Sequence, residues 1–317
     1  MLLNRENLNA LSRSLRALVF QAREEYRPFW NRIALESRTE GRVGVYTWLE
    51  DFPTMREWKG ERQVQNLSLK TINLENADWE MTFAIARKDV EDDLLDQVGA
   101  NAREYAFRWA QHDDYLVTQL LLKGFSAQGP DGANFFGTHR VGKKNYQNAG
   151  TNPLTRESFR AALAGMRSLQ DSRGYPLGFF LDRPLLIVGP QLAPTATEIV
   201  GVQTLPSGGA NPDYGAAEVV VNPWLVDSYA SYWFLVDGSR PIKPLILQRR
   251  MEFPLLFPSI PPGFGAGRES PSGKGSSPTP APGRHSFRPV SRVSALTRGE
   301  TSPHTSAEAG EGSPFSG

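Results

Sequence analysis

Residues 89–124, DVEDDLLDQVGANAREYAFRWAQHDDYLVTQLLLKG, place Val90, Leu94, Val98, Ala102, Tyr105, Trp109, Leu116 and Leu120 near one stripe. Steps of three and four predict a helix over 89–123, stopped by Gly124. Unbroken, it is about 50 Å long at ~1.5 Å per residue. Asp89, Glu91, Asp92 and Asp93 crowd its start. They read either as carboxylates for a divalent cation or as a cap and first-turn acids that complement the helix dipole. The second reading is the stronger, because adjacent helix positions splay around the axis.

Upstream of that helix the period changes to two. Leu67, Leu69 and Thr71 alternate with Ser68, Lys70 and Ile72, and Trp79, Met81, Phe83 and Ile85 alternate with Glu80, Thr82, Ala84 and Ala86. These two runs predict a long hairpin within residues 41–87, turned by 73–78 and apolar on one strand face. A lone two-stranded hairpin is marginal in water, so that face needs a partner surface, a neighbouring subunit among the candidates. Leu8, Leu11, Leu15, Leu18, Ala22 and Tyr26 predict an amphipathic helix before Pro28. It is expected either to pack on its own domain or to act as an arm.

Downstream, Thr155 is positioned to cap a helix with Phe159, Leu163, Met166 and Leu169 inward, ending near Gly174. Strands are expected at 184–189, 218–222, 233–237 and 243–253, with a short helix at 195–200. On the last strand Leu245, Leu247 and Arg249 fall on one side, and Ile246, Gln248 and Arg250 on the other. This mixture is α+β, with one long helix across sheet elements.

At Pro254 the composition breaks: 33 of the final 64 residues are proline, glycine or serine. Residues 254–317 are expected to be disordered. The 317 residues carry 35 basic and 34 acidic side chains, a net charge of +1, which disfavours a basic nucleic-acid coat. With no cysteine, disulfide, thiol and zinc–thiolate chemistry are excluded. No run approaches the ~20 apolar residues of a membrane span, and no signal-peptide pattern opens the sequence. The expected partners therefore include no membrane, and synthesis is expected in the cytoplasm.

Only four histidines are available: His112, His139, His285 and His304. The stretch 129–140 gathers glycines with Asp131 and His139 but has neither a phosphate-loop ending nor a dinucleotide fingerprint, and reads as a turn. His112 with Asp113 and Asp114 points three ways around a helix, a weak metal site. The glycine-bearing 207–215 reads as a flexible surface loop. Neither a Gly-x-Ser-x-Gly elbow nor a His-Glu-x-x-His pair occurs. No cofactor or metal site is expected.

More distinctive is Tyr46-Thr-Trp48-Leu-Glu-Asp-Phe-Pro53-Thr-Met-Arg56-Glu-Trp58-Lys-Gly60-Glu-Arg62. Tryptophan and arginine dominate interface hot spots, and physics alone leaves a cofactor pocket, a core corner or a subunit contact open. The motif resembles the signature of the Mu-like phage major head subunit, the gpT family. The resemblance continues through Ile85-Ala-Arg87 and Asp89-Val-Glu91-Asp92-Asp93 into the long helix. It persists more weakly in Phe135-Phe136, Asn222-Pro223-Trp224-Leu225 and Trp233-Phe-Leu-Val-Asp237, covering roughly residues 5–252.

The resemblance implies a tailed-phage (HK97-like) capsid fold. Its expected parts are an N-terminal arm (1–40), an extended β-hairpin loop (41–87), a peripheral domain with the spine helix (88–180), an axial domain with a returning strand (181–253) and the tail (254–317). It implies a non-enzymatic head protein that self-assembles as hexamers and pentamers into an icosahedral virion shell. Scaffold and head-maturation protease are implied partners, with sequence-blind contact to packaged DNA. Trp48, Pro53, Arg56, Trp58, Arg62, Trp79, Met81 and Phe83 are the expected subunit-contact residues. The tail departs from the family pattern and reads as a natural extension or a frameshifted stretch. The alternatives are a metal-assisted hydrolase using Asp89, Asp92, Asp131 or His139, and a cargo-enclosing shell of the same fold.

Overall fold

A computed structural model describes residues 5–49, 60, 69–79, 81, 95–129, 131–178, 182–250 and 283–287. The spine is helix α3 (Leu95–Lys123). Its 29 residues span about 43 Å at ~1.5 Å each, and its first turns and last turns serve different cores. Val98, Ala102, Ala106 and Trp109 pack against Leu15, Val19 and Ala22 of the N-terminal helix α1 (Arg5–Glu25). Val117, Leu120 and Leu121 instead enter the main core with Phe135, Phe136, Ile187, Phe234 and Leu247. The acids at 89–93 lie outside the described residues, so the capping reading stands only as an expectation.

After α1, Pro28 breaks the helix because it has no N–H to donate and restricts the residue before it. The chain re-forms as one helical turn, α2 (Trp30–Ile33), and enters strand β1 (Ala34–Arg38). Strand β2 (Val43–Leu49) pairs antiparallel with β3 (Leu69–Glu75), from Val43 opposite Glu75 to Leu49 opposite Leu69. This corrects the expected hairpin. Residues 69–72 of the 67–72 run pair back to 43–49, residues 73–75 continue the strand, and β4 (Ala77–Trp79) does not pair with β3. Alternation specifies which face is buried but not which strand is the neighbour. Residues 82–87 lie outside the described residues.

Strand β10 (Leu245–Arg249) runs parallel to β1. All five of its side chains are buried, so the expected two-sided pattern becomes that of an interior strand. Within the tail expected to be disordered, Gly283–Phe287 forms strand β11, antiparallel to both β10 and β4. Ladder hydrogen bonds use the main chain and do not require an apolar sequence, which is how this composition enters a sheet. The rest of residues 254–317 lies outside the described residues.

Beyond a small antiparallel pair, β5 (Thr138–Val141) and β6 (Lys144–Gln147), the second body of sheet is β7 (Leu185–Val188), parallel to β8 (Glu218–Val221) and antiparallel to β9 (Trp233–Val236). Every residue of β7 and β9 is buried. One face joins the main core, and the other packs on Phe159, Ala162, Leu163 and Met166 of helix α4 (Arg156–Arg167). Thr155 caps α4 as expected, in a reciprocal box with Ser158, but the helix ends at Arg167. Gly189, just after β7, lies under the chain at Leu225: a Cβ there would come 2.0 Å from the Leu225 carbonyl oxygen. Gly189→Ala is therefore expected to lower unfolding free energy by about 1–3 kcal/mol, read as a lower denaturant midpoint.

Candidate functional site

Two constructions on the spine side of the molecule stand out: a clamped hairpin and a buried charge hub. The hairpin is fastened at its base. Tyr46 donates its hydroxyl to Gln248 Oε1 (2.7 Å), and Gln248 Nε2 donates to Asn76 Oδ1 (2.8 Å) and the Leu74 carbonyl (3.3 Å). Asn76 in turn donates to the Gly41 carbonyl at 2.9 Å. Leu74 and Ile246 are buried together, flanked by Tyr46 and Ile72. The opposite face is open: Val45 is 66% exposed and Val43 39%, beside exposed Thr47 and Thr71. A ribbon with one β-branched face unburied and, among the described residues, no third strand on either edge suits association with another surface.

The expected contact residues distribute as follows. Trp48 lies in β2 opposite Lys70, its side chain outside the described residues. Pro53, Arg56, Trp58, Arg62 and Phe83 also lie outside them. By chain order, residues 50–68 join β2 and β3 at the end away from the clamped base. Trp79 is half-buried, its ring meeting His112 edge-on at 4.8 Å between centroids. Met81 is half-buried against the α1–α3 cluster, and its carbonyl accepts from Tyr105. The structure thus brings Trp79 and Met81 to the spine helix.

The hub centres on two adjacent spine residues. Asp113 accepts from Arg249 at 2.5 Å, and Arg249 also meets Glu36 of β1 at 2.8 Å while its guanidinium lies 5.4 Å from the Trp30 ring centroid. Burial opposes the Arg249 charge, but Asp113 and Glu36 outweigh it and raise its pKa above the ordinary value. Asp114, fully buried, accepts from the Tyr26 hydroxyl (2.7 Å), the Trp30 amide (2.8 Å) and the Phe29 amide (3.1 Å). Burial nonetheless pushes its carboxyl up to about 6. Burial also lowers the neighbouring His112.

The other candidate groups that the structure describes are engaged in internal contacts. His139 is buried with Asp131 at 2.6 Å on Nδ1 and the Phe135 carbonyl at 3.1 Å on Nε2, so both ring nitrogens are engaged. Asp89 and Asp92 lie outside the described residues, among which no group of three or more potential metal ligands occurs. The 207–215 loop is pinned, contrary to expectation. Asn211 donates to the Ile199 and Val202 carbonyls, and Asp213 accepts from Arg156 and Arg160. Burial raises Asp213, yet those two arginines prevail and hold it below the usual carboxylate range. The four-residue spacing of Arg156 and Arg160 on one helix face is the signal that would have found this.

Comparison with known proteins follows the same outline. The chain is 36% identical over 107 residues to the major capsid protein of Escherichia phage Mu. It is 31% identical over 121 residues to the Mu-like prophage FluMu major head subunit of Haemophilus influenzae. The aligned stretches cover 34% and 36% of this chain and span only about a third of those relatives, 35% and 37% of their lengths. Among solved structures, the procapsid of bacteriophage JBD30 matches with a TM-score of 0.60 at 22% identity, covering 70% of this chain and all of that one. The JBD30 capsid gives 0.54 at 22% identity, over 63% and 92%. These likenesses place the α+β chain in the HK97-like fold of tailed-phage capsids. Over residues 8–152 and 145–225, well over half its length, the sequence matches the family described as Mu-like prophage major head subunit gpT, and the chain belongs to that family.

Proposed function

We propose that this protein is a non-enzymatic shell subunit that self-assembles into the icosahedral head enclosing phage DNA. The observation that carries the reading is the clamped hairpin, whose base is fixed by Gln248 and Asn76 while Val43 and Val45 stay exposed. A subunit can bury such a ribbon on a second copy, within hexamers and pentamers. Membership of the gpT family and the capsid fold support the same conclusion. Contacts of the hairpin tip are assigned to Trp48, Pro53, Arg56, Trp58 and Arg62, and those of its return to Trp79, Met81 and Phe83.

A scaffold and a head-maturation protease are proposed as assembly partners in the host cytoplasm, on family grounds. DNA contact is proposed to be electrostatic and blind to sequence, and weak per subunit because a net charge of +1 neutralises little of a phosphate backbone. Gradient sedimentation of the purified full chain tests the proposal. Fast-sedimenting, uniform particles support it; a species that remains monomeric at every concentration and with scaffold present contradicts it.

A further inference from the structure

We propose that the outer face of the β5–β6 hairpin, with the turn at 170–175 on which it leans, is the surface where this subunit meets the phosphate backbone of packaged DNA. The inference rests on the shell reading above and adds to it the place of the contact. A chain of net charge +1 has no cationic coat, so contact with a polyanion has to come from uneven placement of its charges. The hairpin supplies that unevenness. Arg140, Lys143 and Lys144 are all exposed, and Arg173 is exposed on the neighbouring turn.

The chain holds these cations in place. Val141 pairs with Lys144, leaving Gly142-Lys143 as a two-residue turn whose first position, Gly142, has φ +61, as a tight hairpin turn requires. The turn is seated on its neighbour: a Cβ on Gly142 would come 2.9 Å from the Ser172 carbonyl oxygen, and Lys144 donates to Gln170 Oε1. In the neighbouring turn Asp171 Oδ1 accepts the Arg173 and Tyr175 amides at 2.9 and 2.8 Å. Two abutting turns therefore present four basic side chains, Arg140, Lys143, Lys144 and Arg173, against the single carboxylate of Asp171.

The rest of the face has the same character. Opposite residues of an antiparallel pair share a face, so Thr138, Arg140, Asn145 and Gln147 lie together, and all four are exposed. The other face carries buried His139 and half-buried Tyr146. A guanidinium, a hydroxyl and two amides with no carboxylate among them are the groups that meet phosphate and sugar oxygens in nucleic-acid complexes. Arg140 donates to the Gly142 carbonyl at 3.2 Å, and among the described residues none of Arg140, Lys143 and Lys144 pairs with a carboxylate. An acidic patch on a second copy is the competing occupant. Neutral donors set beside the cations favour the nucleic-acid backbone, which offers acceptor oxygens along its whole length.

Fluorescence anisotropy of the 317-residue chain with a mixed-sequence DNA duplex, across a series of salt concentrations, reads this surface. Arg140→Gln with Lys143→Gln and Lys144→Gln is expected to weaken binding at least about tenfold at low salt and to flatten the slope of log affinity against log salt by about 2–3. The three side chains are exposed, so the melting midpoint is expected to stay unchanged. A charge-matched control, Arg13→Gln with Arg42→Gln and Arg103→Gln, removes three exposed arginines elsewhere and is expected to change binding much less. Equal losses in the two triple variants overturn the proposal, because they report only diffuse charge, and so does unchanged binding in the hairpin variant. Gradient sedimentation reads the shell assignment separately, and the hairpin variant is expected to form normal particles. Wild-type particles from a chain that binds no duplex overturn this proposal and leave the shell reading standing. Loss of particles with duplex binding intact assigns the surface to a contact between copies and overturns it too.

Discussion

Replacing Arg249 by methionine is expected to lower the unfolding free energy by about 3–5 kcal/mol, because it leaves the Asp113 carboxylate buried without its cation. Arg249 is only 9% exposed and Asp113 8%, so water cannot substitute for the lost guanidinium. Glu36 is more exposed and contributes less to the loss. Removing both members, as Arg249→Met with Asp113→Leu, is expected to recover most of the stability, since a buried pair adds little over an apolar replacement of similar volume. Denaturant melts of the single and double variants decide the matter. A single variant within about 1 kcal/mol of wild type would mean that the Asp113 charge is not buried as described.

The second large effect concerns assembly. Arg56→Glu together with Arg62→Glu is expected to reduce shell yield below detection while leaving the far-ultraviolet dichroism and melting midpoint of the monomer unchanged. Both arginines belong to the stretch joining the free ends of β2 and β3, remote in chain order from the Gln248 clamp that fixes the hairpin base. Charge reversal in a contact costs several kcal/mol at each copy, and closed shells multiply that cost over every subunit. Gradient sedimentation of the variant against wild type measures it. Normal shell yield would remove these two residues from the proposed interface.

Much of this architecture was legible in the sequence, for reasons that differ by element. The spine helix declared itself through Val98, Ala102, Trp109, Leu116 and Leu120, because helical period is a local property that burial only reinforces. The hairpin was half legible. Alternation in 67–72 marked a strand that the structure describes from Leu69, yet its partner was the distant 43–49 and not β4, since pairing is fixed by long-range packing of Leu74 on Ile246. The hub was missed for an instructive reason. Asp113 and Asp114 do diverge around the helix, as adjacent positions must, which argued against a metal site. That divergence lets one carboxylate face the Arg249 strand while the other accepts from Tyr26, Phe29 and Trp30.

The loop at 207–215 shows the complementary error. Its glycines pointed to freedom, while Asn211 and Asp213 tie it to α4 and to the chain at Ile199 and Val202. Polar residues in a glycine-rich loop specify a shape when arginines on a neighbouring helix can reach them.

Electron cryomicroscopy of particles formed by the 317-residue chain tests the shell assignment most directly. Closed icosahedral shells are expected, with hexamers and pentamers in which the β2–β3 ribbon of one copy lies on a second copy and covers Val43 and Val45. A chain that forms no closed shell with or without scaffold, or shells in which that ribbon face stays open to solvent, would contradict the account.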